Sequence, residues 1–359
     1  MRVHNFSAGP AVLPEEVLKE VQENLFDYKG KGLSVLEMSH RSPEYSEIIE
    51  GARARLLKIM GLGDDYTVLF LQGGASTQFL TIPLNFCPDG KVANYIDTGA
   101  WSTKAIKEAK ILKKQVHIAA SSADKDFTYI PKTWDISDNA AYLHITTNNT
   151  IRGSEWKIDP DVPADLPLIA DMSSNFLSRP LDFAKYDMIY GGAQKNIGPA
   201  GATFVVIKKS MLETCASGLS TMMDYNTHAK KDSMFNTPPT FSIYVIGEVL
   251  KWIENNGGLA GMEKRNAEKA AYIYDVIDNS DFYRGTVVKE DRSFMNIPFR
   301  LPTEDLEKKF VAESKANKMF NLKGHRSVGG CRASVYNSLP MKSAQALAEF
   351  MKEFEKNNS

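Results

Sequence analysis

YDMIYGGAQKNIGPAGATFVVIKK, residues 186–209, reads as a strand, a glycine turn and a second strand, with one lysine held in the connection. The apolar run Tyr186 to Tyr190 stops at Gly191-Gly192, and Ala202 to Ile207 forms the next run. Lys195 sits between them. A lysine flanked by buried strands loses solvation of its ammonium form, and a partly neutral amine suits Schiff-base chemistry. On the N-terminal side, the strand-like LPLIAD ends in Asp171, 24 residues before the lysine. A carboxylate at a strand end, one element before such a lysine, is what pyridoxal phosphate (PLP) needs to keep its pyridine nitrogen protonated. The competing reading is a solvated loop lysine, the ordinary fate of that residue type.

Working outward, short apolar strands alternate with helical stretches. TVLFLQGGAST reads as a strand, a glycine turn and then a helix from about Thr77; KVANYID, KQVHIAA, AAYLHIT and LPLIAD continue the series. Such alternation predicts an α/β fold with a mostly parallel sheet covered by helices. Upstream, residues 1–15 read as an extended arm, with helices starting near Pro14-Glu15-Glu16 and running from Pro43 to Met60. Residues 240–279 are strongly helical, with a break at Asn255-Asn256-Gly257-Gly258. Beyond it, strand-like TVVKE and FMNIPFR alternate with helices near Thr303 to Lys318 and Ser343 to Lys356. The expected division is a large domain over 16–255, and a smaller α+β domain made of 256–359 with the arm 1–15.

At 359 residues the chain is too long for one ordinary core, which agrees with two domains. A net charge of −1 argues against nucleic-acid or anionic-membrane binding, which needs a basic excess. Cys87, Cys215 and Cys331 match no metal or redox spacing, and an odd, sparse count fits a reducing compartment. With no secretory h-region near the start and no apolar run of membrane-spanning length, the expected location is the cytoplasm.

Gln72-Gly73-Gly74-Ala75-Ser76-Thr77 joins a strand to a helix, where backbone N–H groups and the helix dipole favour a phosphate. A tight βα turn without a ligand would look the same. No Walker A loop and no GxGxxG fingerprint is present. Trp101 follows a strand and could stack on a flat ring, although a core position is the commoner fate. His40-Arg41 and His325-Arg326 form two His-Arg pairs in a chain where chance predicts fewer than one, and Arg332 follows the second. Arginine forks grip carboxylates and phosphates, so this set suits a doubly anionic small molecule. No metal site is expected: HExxH is missing, and the other histidines lack ligand spacing. A hydrolase reading lacks its GxSxG elbow.

The residues now carry a wider pattern. NFSAGPAVLP, MSHRSPEY, LFLQGGASTQF, DTGAWS, IADMSSNFLSRP, YGGAQKNIGPAG, FNTPPTFSIY and GHRSVGGCRASVYN together resemble the phosphoserine aminotransferase family, class V members of the fold-type I PLP enzymes. The resemblance spans the whole chain. It implies that Lys195 joins PLP as a Schiff base, Asp171 pairs with the ring nitrogen, Trp101 stacks on the ring and Thr150 reaches its phenolic oxygen. Ala75, Ser76 and Gln194 would hold the cofactor phosphate, with Asn236 and Thr237 reaching it from the neighbouring subunit of a homodimer. Arg332 would bind the substrate α-carboxylate. His40, Arg41, His325 and Arg326 would hold the phosphate of one substrate or the side-chain carboxylate of glutamate. The pattern departs from many bacterial members at Ser76, where they carry arginine, and at Ala8, where they tend to carry serine.

The implied reaction is transamination between glutamate and 3-phosphohydroxypyruvate in serine biosynthesis. The phosphohydroxythreonine step of vitamin B6 biosynthesis is a further use the family allows. Two alternatives stand beside it: a class V enzyme for an unphosphorylated amino acid, and a non-catalytic PLP-binding protein. The twin His-Arg pairs argue against the first, and the intact Lys195 and Asp171 against the second.

Overall fold

The computed structural model describes residues 2–359. In chain order its principal elements are β1 (His4–Asn5), α1 (Glu15–Phe26), α2 (Pro43–Met60), β2 (Tyr66–Leu71), α3 (Gly74–Phe86), β3 (Val92–Asp97), α4 (Ala100–Ile111) and β4 (Gln115–Ser121). Then come β5 (Ala140–Thr146), β6 (Leu168–Asp171), β7 (Met188–Gly192), β8 (Thr203–Lys208), α5 (Lys209–Leu212), α6 (Tyr225–Ala229) and α7 (Thr240–Asn255). The chain closes with α8 (Gly258–Asp278), β9 (Arg284–Gly285), β10 (Asn296–Arg300), α9 (Glu304–Ala316), β11 (Met319–Phe320), β12 (Cys331–Ser334) and α10 (Met341–Asn358).

Seven strands form the central sheet in the order β2-β8-β7-β6-β5-β3-β4. β8 runs antiparallel to both of its neighbours, and the other pairings are parallel. Side-chain alternation assigns each strand two faces. Val68, Phe70, Phe204 and Val206 enter one core, beneath Ile49 and Leu56 of α2 and Ile246 and Val249 of α7. Leu69, Leu71, Val205 and Ile207 enter the other, against Phe79 and Ile82 of α3 and Ile106 of α4. Apart from the edge strand β4, the strands are buried on both faces, which is why they read as nearly unbroken apolar runs.

Local signals set the helix limits. Ser42 caps α2 by accepting from Tyr45 N–H, Pro43 occupies the first turn, and Gly61 ends the helix at φ 67°. At α3 the left-handed Gly73 (φ 87°) turns the chain, and Thr77 Oγ1 donates to the Gly73 carbonyl at 2.9 Å. The helix therefore starts at Gly74, three residues earlier than the sequence suggested, which puts Ala75 and Ser76 in its first turn.

A third core gathers Ile273 and Ile277 of α8, Ile297 and Phe299 of β10, Phe310 of α9, and Leu347 and Met351 of α10. Phe6 of the arm is fully buried in it, and β1 pairs parallel with β11. An antiparallel sheet, β12-β10-β9, forms its floor. TVVKE is not a strand. Val288 N–H donates to the Thr128 carbonyl, and Lys289–Asp291 forms a tight 3₁₀ turn. The Asp291 carboxylate accepts from Ile130 N–H and Lys132, so the segment is pinned to residues 130–132 instead of lying in a sheet. No helix of the described residues is long and apolar enough to cross a membrane.

Candidate active site

The parallel strands deliver their carboxyl ends to one edge, where ligands of open α/β sheets bind. Asp171 is the last residue of β6, in register with Thr146 of β5 and Tyr190 of β7. Its carboxylate is buried. Ser173 holds Oδ1 through its N–H at 2.9 Å and its hydroxyl at 2.6 Å, and no donor of the described residues reaches Oδ2. Burial pushes the carboxyl above its ordinary range, while the Lys195 charge and the Ser173 donors pull it back. A buried carboxylate with one oxygen unclaimed calls for a cation or an N–H donor.

Lys195 emerges from the turn after β7. Its Nζ donates to Thr150 Oγ1 at 2.9 Å and lies 5.2 Å from the centre of the Trp101 ring. Burial lowers the amine to about 8, opposed by the Asp171 carboxylate and reinforced by the Arg332 charge. Around neutrality this lysine has a usable neutral fraction.

Two loops place Trp101 and Thr150. Asn149 donates from Nδ2 to the Thr98 carbonyl at 2.6 Å, and its Oδ1 accepts from Ile151 and Arg152 N–H. Gly99, at φ 151°, permits this approach: a Cβ there would lie 1.9 Å from Asn149 Nδ2. Ser102 then fastens the start of α4 to Asp97 at 2.8 Å. Trp101 and Thr150 consequently face one cavity of about 600 Å3, together with Gln194, Lys195, His325 and Arg332.

Arg332 reaches this cavity from β12, and its Nη1 donates to the Thr150 carbonyl at 3.0 Å. His325 Nδ1 accepts from Ser327 N–H at 3.2 Å, so the neutral ring presents its N–H at Nε2. Burial lowers its pKa, followed by the charges of Arg332, Arg326 and Lys104. Lys104 itself lies 4.3 Å from the centre of the Trp101 ring.

The residues fit PLP. The N–H groups of Gly74, Ala75 and Ser76, at the start of α3, have no acceptor in the described chain and can take a phosphate. Asp171 Oδ2 is open to a ring N–H, Trp101 offers a flat face, and Lys195 is a partly neutral amine.

Other expected residues stand apart. His40 and Arg41 precede α2; Arg41 is exposed, and neither lines the cavity. Arg326 is exposed and borders an adjoining groove with Lys315 and Lys323. Asn236 and Thr237 are exposed; the Thr237 carbonyl accepts from Gln72 Nε2 at 3.0 Å, beside the glycine turn. Ala8 lines the cavity, and its carbonyl accepts from Tyr336 at 2.8 Å.

Two contributors escaped the sequence reading. Ser173 is signalled by its place two residues after a strand-end aspartate, where a hydroxyl folds back on the carboxylate. Lys104 is signalled by its i+3 spacing from Trp101 on α4.

Residues 3–347 match the family model of class-V aminotransferases. The chain is 55% identical to the phosphoserine aminotransferase of Desulfatibacillum aliphaticivorans, over 99% of each chain. The chain belongs to the phosphoserine aminotransferases. Its structure superposes on that of the Bacillus circulans subsp. alkalophilus family member with a TM-score of 0.98, at 49% identity, covering 100% of this chain and 99% of the other. The Trichomonas vaginalis member, solved with PLP bound, gives a TM-score of 0.93 at 42% identity, covering 98% and 100%. Family membership thus agrees with a lysine, a carboxylate and an arginine meeting at the sheet edge.

Proposed function

We infer that the protein is a PLP-dependent aminotransferase that moves the amino group between L-glutamate and 3-phosphohydroxypyruvate, giving O-phospho-L-serine and 2-oxoglutarate. The observation that carries this is Lys195, an amine near pKa 8 placed between Thr150, the Trp101 face and Asp171, with Arg332 in the same cavity. PLP, when bound, supplies an electron sink for the carbanion formed at the substrate α-carbon.

The chain's own residues do the rest. Lys195 Nζ, divided between its two protonation states near pH 8, can take the α-proton and return it on the same face, since one base serves both transfers. Asp171 would hold the ring nitrogen through its unclaimed carboxylate oxygen and keep it protonated. Ala75, Ser76 and Gln194 would hold the cofactor phosphate. The Arg332 guanidinium, already oriented by the Thr150 carbonyl, receives the α-carboxylate. His325 supplies a neutral N–H donor, and Arg326 a mobile charge. Together they can accept a phosphate in one half-reaction and a carboxylate in the other.

We propose a homodimer in which Asn236 and Thr237 serve the neighbouring subunit's cofactor phosphate. His40 and Arg41 lie outside their own chain's cavity and would contribute through the same arrangement. The working division would be 16–255 against 256–359 with the arm 1–15, an assignment supported by Phe6 joining the core of α8, α9 and α10. The three free cysteines support a cytoplasmic location.

The deciding experiment mixes purified holoenzyme with glutamate and either 3-phosphohydroxypyruvate or an unphosphorylated keto acid, and identifies the products. O-Phosphoserine as the strongly preferred product is expected. Equal or better turnover of the unphosphorylated acid would move the protein to another class-V specificity.

A further inference from the structure

A second cavity, of about 310 Å3, shares Ile151 with the active cavity and opens between the two units. Arg152, Arg284 and Arg300 line it, and Asp126 is the one carboxylate of its lining. Asp126 pairs with Arg152. Arg300 is held by Glu307 at 2.5 Å and donates to the Val328 carbonyl at 2.9 Å. The Arg284 side chain has no ion pair or hydrogen bond among the described residues. In the β9–β10 register, moreover, Arg284 stands directly opposite Arg300. Like charges facing each other across an antiparallel pair repel, although Arg284 is exposed and Arg300 half-buried, so solvent screens part of that repulsion.

We propose that this cavity is a second anion site, which takes a phosphate group between Arg284, Arg300 and Arg152. Guanidinium forks match phosphate oxygens bidentately, and a dianion between Arg284 and Arg300 turns their repulsion into attraction. The volume is at the small end of ligand cavities, with room for inorganic phosphate or a short phosphomonoester. Its wall is shared with the substrate site. Val328 and Gly329 belong to the loop that carries His325 and Arg326, and Cys331 adjoins Arg332. An occupied second site therefore steadies that loop from behind.

The test is equilibrium dialysis of holoenzyme against radiolabelled inorganic phosphate. Two phosphates per chain are expected in the unaltered protein. Arg284→Gln should lose one of them, by about tenfold or more in affinity, because a charge-assisted fork is removed. Arg284→Lys, which keeps the charge without the fork, should lose less and guards against a folding defect in the first variant. Arg326→Ala should lose the other phosphate, the one at the substrate pocket. If Arg284→Gln and Arg284→Lys both bind phosphate as the unaltered protein does, the second site does not exist. Loss with Arg284→Gln but none with Arg326→Ala would uphold this site while removing the proposed substrate contact, so the two readings fail separately.

Discussion

The amine of Lys195 is governed by its burial and by two charged groups drawn from different segments. Burial lowers it to about 8, the Asp171 carboxylate raises it and the Arg332 charge lowers it. The neutral amine is the form that captures an aldehyde, so the rate at which apoprotein takes up added PLP should rise with pH through about 8 and then level. Asp171→Asn removes the charge that favours the ammonium form, so its capture profile should shift to lower pH. Stopped-flow absorbance measures both profiles; a midpoint that stays in place or moves up would detach Asp171 from Lys195. A second contrast separates recognition from chemistry. Arg326→Ala should weaken binding of O-phosphoserine by roughly ten- to a hundredfold and leave alanine nearly unaffected. Replacing Arg332 should damage every amino-acid substrate alike, since each carries the carboxylate it receives. Half-reaction titrations of the two variants check this, and unchanged O-phosphoserine affinity in Arg326→Ala would return that residue to the solvated surface.

Among the elements, α9 shows how the smaller core is held. Phe310 is fully buried, with edge-on contacts to Phe299 at 5.6 Å and Phe354 at 5.1 Å between ring centres. Aromatic pairs of this geometry add to simple area burial. Phe310→Ala should cost about 3–5 kcal/mol through lost contacts and the cavity left behind, and Phe310→Leu distinctly less. Chemical denaturation of both variants, followed by tyrosine fluorescence, gives the comparison; equal losses would mean that filled volume counts for little here and that the aromatic geometry dominates. The consequence reaches the active cavity, because α9 supplies Glu307. That carboxylate holds Arg300 and also accepts from Gly330 N–H at 3.1 Å, two residues before Arg332. A helix with no residue in the active cavity thus anchors the backbone two residues before Arg332.

For the whole molecule, the proposed homodimer makes a prediction that no single chain can satisfy. A Lys195→Ala chain and an Asn236→Ala/Thr237→Ala chain should each be nearly inactive. Mixed with subunit exchange, they should recover about a quarter of normal activity, since random pairing makes half the dimers hybrids with one intact site each. Absence of rescue despite proven exchange would place Asn236 and Thr237 in their own chain's site.

Much of this architecture was readable in the residue order. Apolar runs of strand length marked β2 to β8, several of them closed by a glycine turn or an acid, and YGGAQKNIGPAG identified the lysine in their midst. Those features depend on neighbours within a few residues, through φ/ψ preference, side-chain period and capping, so sequence carries them directly. The early start of α3 escaped because a left-handed Gly73 and a Thr77 back-bond decided it together. TVVKE escaped because its fate hung on Thr128, Ile130 and Lys132, more than 150 residues away in the chain. The chain alone determined the sheet, the lysine–aspartate pair and the arginine-rich ending. Tertiary structure decided that Arg332 meets Thr150, that Lys195 drops to about 8 and that Arg284 faces Arg300. Desolvation and Coulomb energy are sums over whatever surrounds a group in space, and only the folded chain brings those remote surroundings together.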